Sequence, residues 1–462
     1  MPRDKITSAS SRLVCVLVSI ACGVTSSFAA DKMPSPPVPV AGASLSWEQA
    51  VRTAVEKQPL LKAAEHEALE SQAVVKQIES VNYPQITGFY SNSGGNTRVL
   101  ANLGISGSLP KPTNYLTTPG IRADFLITDF GQTAHRILSQ KSFAASAEKA
   151  VLTSKALTIL NVEQAYLNCL KQQRLVEIAL QVMKERDLIR QQTDALYRRE
   201  LRSKLDLDFA SVEFSRAEVV LIKAQNNLAL AFAVLNTAMG LQGPGTYVLD
   251  QVLPAVTSST GPESLVQEAL NRRPELLGSK DRIQAAEEAL KAAKALRFGS
   301  ITAIGTLGYT WWSREEQPSG GAVSNPGAQL GWYGLGGTSA FPLYTGGRIE
   351  GQIDEADARK GEIQATSRSI ANEIVLQVAQ AYLSRLTAEQ QIKVAEERVA
   401  HAREALTLAR ERYKASLGSI LDVMTATTDL LSAEVGLTEA QYDYRASEAA
   451  LAYATGAEYA RY

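Results

Sequence analysis

Tyr413-Lys414-Ala415-Ser416-Leu417-Gly418-Ser419-Ile420-Leu421-Asp422-Val423 joins two long helical patterns, one arriving from the N-terminal side and one leaving toward Gly456. A second copy stands 216 residues upstream, as Tyr197-Arg198-Arg199-Glu200-Leu201-Arg202-Ser203-Lys204-Leu205-Asp206-Leu207. The tyrosine, the Leu-x-Ser and the Leu-Asp recur in register. The chain is built twice, and each half reverses direction at this turn.

Matches on either side extend the repeat. Pro59 pairs with Pro274 and Gly131 with Gly346 at an offset of 215, while Ala165-Tyr166 pairs with Ala381-Tyr382 and Met239-Gly240 with Thr455-Gly456 at 216. An offset this constant is the mark of a duplication. Between Gln132 and Glu200 there is neither Pro nor Gly. Leu157, Leu160, Leu167, Leu175, Ile178, Val182 and Ile189 form a stripe at spacings of three and four, with Gln164 and Lys171 inside it. At 1.5 Å per residue this gives a helix of roughly 100 Å, the length of a coiled coil rather than of a globular helix. A second helix returns from Ser203 to Met239 and stops at Gly240, a residue suited to the left-handed position after a helix.

Residues 84–131 have a different texture, with apolar and polar residues alternating between Gly, Asn and Pro clusters. Ile121, Ala123, Phe125 and Ile127 fall on one face of a strand and Arg122, Asp124 and Thr128 on the other. Residues 86–106 give one or two further strands, and Ile301–Trp312 and Gly331–Tyr344 repeat the pattern in the second half. The boundaries read as a targeting segment (1–30), a Pro-rich linker (31–44), repeat 1 (45–240, strands at about 84–131), a linker (241–262) and repeat 2 (263–458, strands at about 299–345). Ser46-Trp47-Glu48-Gln49 opens the first helix as a capping box, and Pro84 closes it. A two-stranded ribbon is marginal in water, and four strands still leave two open edges per chain. Closure with other copies removes those edges, and a membrane barrel accounts for the alternation, since lipid and lumen faces alternate along each strand.

The 462 residues carry a net charge of -1, so nothing supports a nucleic-acid partner. Arg3, Lys5 and Arg12, the apolar run Leu13 to Gly23 and the small residues Ser27-Phe28-Ala29-Ala30 have the layout of an export signal; lipid attachment at Cys22 is the alternative processing route. Cleavage near Ala30 leaves Cys169 as the one remaining cysteine, which cannot form an intramolecular disulfide. No later stretch reaches about 18 consecutive apolar residues, so spanning helices are not expected. His66, His135 and His401 lack ligand spacing and read as surface residues, Cys169 reads as a small buried side chain, and no set of groups suggests catalysis, a metal or a cofactor. Gly334-Leu335-Gly336-Gly337 lies within strand-like sequence rather than at a phosphate loop, and Glu315-Glu316 reads as a loop pair.

Beyond residue 45 the chain resembles the TolC family of outer membrane efflux proteins. The resemblance is carried by Asn82-Tyr83-Pro84-Gln85-Ile86 at the entry to the first strand and Thr128-Asp129-Phe130-Gly131-Gln132 at the hairpin exit. Leu343-Tyr344-Thr345-Gly346-Gly347-Arg348 is the second exit, and Leu417-Gly418-Ser419-Ile420-Leu421-Asp422-Val423 is the tip. It implies a mainly α, tandem-repeat protomer with four strands. Three protomers would form a 12-stranded outer membrane barrel continuous with a long periplasmic helical barrel.

The family conducts drugs or secreted proteins outward, as part of a tripartite efflux pump or a type I secretion system. Its partners are a periplasmic adaptor (membrane fusion protein) and an inner-membrane pump. Tyr413 matches the family's network tyrosine at the closed periplasmic end and Asp422 its acidic ring residue, three copies of which would attract cations. Thr425 stands where some members have a second aspartate, and Gly418 where the best-known member has arginine. Asp206 and Asp208 lie at the equivalent turn of repeat 1. Leu201, Arg202, Ser203, Leu417, Gly418 and Ser419 are the expected adaptor-docking tips, with plain turn chemistry as the competing explanation. The rival functions are a periplasmic coiled-coil adaptor or scaffold, which would show one hairpin flanked by compact β domains, and an exported enzyme, which would need a catalytic set.

Overall fold

The structure, a computed structural model, describes residues 42–95, 114–243, 245–251, 261–314, 329–415 and 417–457. The targeting segment, most of the Pro-rich linker, Cys22 and Glu315-Glu316 lie outside them.

Each half has the same order. Repeat 1 runs through α1 (Trp47–Lys57), α2 (Pro59–Glu79), β2 (Gln85–Gly95), β3 (Asn114–Thr128), α3 (Gln132–Tyr197) and α4 (Lys204–Ala238). Repeat 2 runs through α5 (Pro262–Arg272), α6 (Pro274–Ala295), β5 (Ser300–Arg314), β6 (Gln329–Ala340), α7 (Arg348–Lys414) and α8 (Ile420–Thr455). The long helices have 66 and 67 residues, each about 100 Å at 1.5 Å per residue. Strand β6 stops at Ala340, short of the expected Tyr344, two residues before Pro342, which has no N–H to give a ladder. Two short strands, β1 (Ala43–Leu45) and β4 (Tyr247–Leu249), pair in parallel within stretches that read as linkers.

Both hairpins are packed side by side, α3 against α4 and α7 against α8, with α3 also lying along α8; α2 flanks α3, and α6 lies between α3 and α7. The core is spread along this wall. Its largest cluster gathers Trp47, Val51, Val162, Tyr166, Cys169, Phe232, Leu235 and Met239 around the β1–β4 ribbon, and repeat 2 answers with Leu265, Leu276, Ile374, Val378 and Leu451. Leu157, expected in the buried stripe of α3, is instead exposed. Cys169 is a free buried thiol. His135 is not a solitary surface residue: its Nδ1 lies 2.6 Å from the Glu288 carboxylate, joining α3 to α6.

Helix α4 contains an 18-residue window of mean hydropathy 1.4, only 22% of it buried. Averaged hydropathy thus passes a spanning criterion that a count of uninterrupted apolar residues does not. Its C-terminal end is nevertheless seated in the core through Phe232 and Leu235, and its exposed apolar residues, among them Val212, Val219, Ile222 and Leu230, form an uncovered surface. Gly240 ends the helix at φ +73, where a Cβ would lie 2.6 Å from the Lys57 carbonyl oxygen.

The main sheet has the order β2-β3-β5-β6, all antiparallel. Its register puts Ile86, Ile121, Leu307, Tyr333 and Leu335 on one exposed face, with Gln85, Thr87, Arg122, Asp124 and Thr306 on the other. Strand leads into helix through two consecutive left-handed residues: Phe130 and Gly131 before α3, Gly346 and Gly347 before α7. This shifts the sequence match by one position, since Gly346 corresponds to Phe130 rather than to Gly131. Asp129 makes the strained non-glycine version possible by accepting from the N–H groups of Thr133 (2.6 Å) and Gly131 (3.2 Å). Phe130 then contacts Phe298 and Phe341 at the foot of the sheet.

The Tyr166 hydroxyl holds the short ribbon to α3. It lies 3.0 Å from the Leu45 carbonyl oxygen and 2.9 Å from that of Asp250, one donor shared by two acceptors. Burial pushes this phenol up to about 12. A folded-state value raised above the ordinary value of about 10 means that the stabilisation is complete below pH 10 and is lost as pH rises through about 12. Tyr166→Phe removes the shared donor and should cost about 1–3 kcal/mol, read as a lower thermal midpoint, with less of the wild-type stability loss between pH 10 and 12.

Candidate functional site

The two tips are built alike. At the end of α3 the Leu201 N–H reaches back to the Leu196 carbonyl at 3.0 Å, and at the end of α7 the Leu417 N–H reaches Arg412 at 2.8 Å. Six-residue closures of this kind satisfy the last carbonyls of a helix. Each returning helix begins at a serine. Ser203 Oγ accepts from Asp206 N–H and Ser419 Oγ from Asp422 N–H, both at 3.2 Å. In return each aspartate accepts from its serine's N–H, at 3.3 Å for Asp206 and 2.9 Å for Asp422. These reciprocal pairs are capping boxes. The serines, and one oxygen of each aspartate, are therefore engaged in making the turn. What the tips present outward is leucine: Leu201 is 66% and Leu417 73% exposed. Gly418 is hemmed in, its absent Cβ 3.3 Å from Arg412 Cβ and 3.4 Å from Asp422 Oδ2.

Tyr413 is where the two repeats meet. It packs against a cluster of Ala210 from repeat 1 with Ile420 and Met424 from repeat 2, which Ile189 also flanks, and against a second cluster of Leu406, Val423 and Ala426, while the Arg202 guanidinium sits 4.6 Å above its ring. Burial raises the Tyr413 phenol above its ordinary value; the Arg202 charge opposes this and Asp206 adds to it. Tyr413, Arg202 and Asp206 are thus brought together, although the sequence reading placed Arg202 with the docking tips. Asp208, Thr425 and Asp422 are exposed near this centre rather than in it. A groove of ≈ 840 Å³ runs beside Tyr413, with Thr193, Leu196 and Val423 along its walls and Arg410 and Lys414 at its rim.

Sequence reasoning missed Arg186. Its residue is 3% exposed, and it spans three helices, donating to Glu213 on α4 (3.0 Å) and to the Met424 carbonyl (3.2 Å) and Thr428 hydroxyl (2.9 Å) on α8. Desolvation pulls the guanidinium below its usual value while Glu213 and Glu185 hold it up; it stays charged, as arginine does in proteins. Nearby Arg410 on α7 meets Glu185 on α3 at 3.3 Å. A charge within a long polar helix looks solvated in sequence, and only its place at the crossing of the hairpins gives it away. Among the described residues no group of three or more His, Cys, Asp or Glu could hold a metal ion.

Two long hairpins hung from one four-stranded sheet, with duplicated capped tips, is an arrangement found among known proteins. The outer membrane efflux protein family matches residues 50–241 and 265–457, one segment per repeat. The chain belongs to the outer membrane efflux protein family. Outer membrane efflux protein BepC of Brucella suis is 25% identical over 82% of this chain and 78% of its own. The cation efflux system protein CusC of Escherichia coli K12 is 24% identical over 86% and 83%. Among solved structures, the Campylobacter jejuni CmeC outer membrane channel superposes with a TM-score of 0.74 at 18% identity, covering 89% of this chain and 85% of CmeC. A CusC structure gives 0.73 at 21%, covering 92% and 96%. As a family member the chain is an outer membrane protein with a large periplasmic part.

Arg186→Ala would take from Glu213 its buried donor, leaving it only the exposed Arg216, and would break the link from α3 to the Met424 carbonyl and Thr428 hydroxyl on α8. Removing one member of a buried pair costs about 3–5 kcal/mol, whereas replacing both by apolar groups is often neutral. The thermal midpoint should fall clearly for Arg186→Ala and recover in Arg186→Met/Glu213→Leu. An unchanged midpoint in the single variant would show that the clasp holds nothing.

Proposed function

We propose that three copies of this chain form a passive exit duct of a tripartite efflux pump. The observation that carries this reading is a sheet with one apolar face, one polar face and two edges that stay unpaired among the described residues, running straight into the long helices. Joined edge to edge, three such sheets make a 12-stranded barrel with Ile121, Leu307 and Leu335 toward lipid and Arg122, Asp124 and Thr306 toward the lumen. Strand β3, with 15 residues, exceeds the roughly 9–11 that a tilted strand needs to span a bilayer. The uncovered apolar residues of α4, with Leu376, Leu383 and Val394 on α7, supply the surfaces through which the helical walls close. A second hairpin and a sheet inserted at the helix starts argue against a lone adaptor or scaffold.

In this duct the tips form the periplasmic mouth. Leu201 and Leu417, with Arg202, Ser203, Gly418 and Ser419 around them, dock a periplasmic adaptor, and an inner-membrane pump provides the energy. A type I secretion system would use the same mouth. Tyr413 ties the two hairpins together beside the constriction, and the Asp422 carboxylates form its ring, with Asp206, Asp208 and Thr425 around it. Three carboxylates about a narrow pore favour cations.

Asp422→Asn separates charge from turn chemistry, because the amide oxygen can still accept from the Ser419 N–H. The purified protein should show discrete conductance in planar bilayers with cation-selective reversal potentials, and Asp422→Asn should lower that selectivity and relieve block by multivalent cations. Unchanged selectivity would move the ring to Asp206 or Asp208. A protein that carries no current would overturn the duct.

A further inference from the structure

On the polar face of the sheet, one row across all four strands reads Phe89, Gly120, Gly308, Trp332. A side chain at either central position would collide with the rings. A Cβ on Gly120 would lie 2.4 Å from Phe89 Cζ, and one on Gly308 would lie 2.3 Å from Trp332 Cζ2. Phe89 and Trp332 therefore lean inward from the two outer strands and lie over glycine backbone. Their centroids are 6.2 Å apart and their planes 30° apart. The indole N–H donates to Thr310 Oγ1 at 2.9 Å, which fixes the direction of the ring and keeps its polar edge within the sheet. Both residues are half-buried, one ring face on the sheet and the other turned away from it.

The rows beside this pair are largely polar. Thr118 and Thr310 lie on one side, and Thr87, Arg122 and Thr306 on the other, where Asp124 binds Arg122 through two carboxylate contacts of 2.8 Å. The cation next to the rings is thus neutralised by its own partner. The result is a flat π surface, two rings wide, set into a polar wall.

We propose that this aromatic plate is a binding site for planar aromatic solutes, above all cationic ones, on the inner wall of the duct. The proposal rests on the reading that the four strands close into a barrel with the polar face inward; three copies then stand at one level around the lumen. Ring faces carry negative charge density, so they favour offset stacking with other rings and attract cations, indole most of all. Covering glycine backbone asks only for apolar bulk, which leucine also provides. Binding an aromatic cation asks for the π faces.

The test uses the purified full-length protein in planar bilayers, with ethidium added on the extracellular side and tetraethylammonium as a cation without rings. Ethidium should interrupt the wild-type current in a concentration-dependent way, and tetraethylammonium at the same concentration should not. Phe89→Leu/Trp332→Leu should raise the blocking concentration by about tenfold, while Phe89→Tyr/Trp332→Phe retains the block. Gly308→Ala, which keeps both rings but drives Trp332 off its seat, should weaken the block as well and serves if the double leucine variant does not assemble. Block by ethidium that is unchanged in the leucine and Gly308→Ala variants, or matched by tetraethylammonium, would overturn the plate while leaving the conducting duct intact. The absence of any current in the wild type would overturn both.

Discussion

Strands β2 and β6 each present a row of backbone N–H and C=O groups that no strand among the described residues of one chain pairs. In a membrane those groups have no water to turn to, and each one left bare costs several kcal/mol. This is the constraint behind the rest of the architecture. A sheet of four strands cannot close alone, which is why the proposed duct is built from copies of the chain, and the apolar residues left uncovered on α4 and α7 are what its helical wall would bury. The duplication is an economical answer: a helix–hairpin–helix unit used twice gives two long helical hairpins and two β-hairpins from one design.

Connecting strand to long helix requires a sharp change of backbone direction at two places per chain, and both use a pair of left-handed residues. Repeat 2 uses Gly346 and Gly347, whereas repeat 1 accepts Phe130 at φ +55 and holds it with the buried Asp129 carboxylate and a cluster of phenylalanines. At the far end of the helices direction is reversed by capping boxes, which engage Ser203, Asp206, Ser419 and Asp422. Near the tips Arg186, Tyr413 and Arg202, together with the Arg410–Glu185 ion pair, tie repeat 1 to repeat 2. The apolar clusters near the tips are small, so these specific contacts carry much of the join between the repeats there.

Much of this was legible in the sequence, and for identifiable reasons. A span of about 69 residues without Pro or Gly can only be a very long helix, and a constant offset betrays a repeat. The alternation of Ile121, Ala123 and Phe125 named the two faces of β3 as far as Leu126; beyond it the register shifts, and Thr128 pairs with Ile301 instead of continuing the row of Arg122 and Asp124. What stayed hidden depends on contacts between distant segments. Three-residue strands such as Ala43–Leu45 have no period to detect. Arg186 looks like any charge on a polar helix until α4 and α8 are packed around it. The Phe89–Trp332 plate needs the cross-strand register, and residues 96–113 and 315–328 between the strands obscure that register in the sequence. Ser203 and Ser419 were read as docking residues, with turn chemistry as the competing explanation, and their hydroxyls prove to be capping groups.

Closure by symmetry is the claim on which the duct, its mouth and its lumen all depend. Native mass spectrometry of the protein extracted from outer membranes in mild detergent tests it most directly. A single species with the mass of three chains, dissociating on heating, is expected. A stable, monodisperse single chain under the same conditions would contradict it.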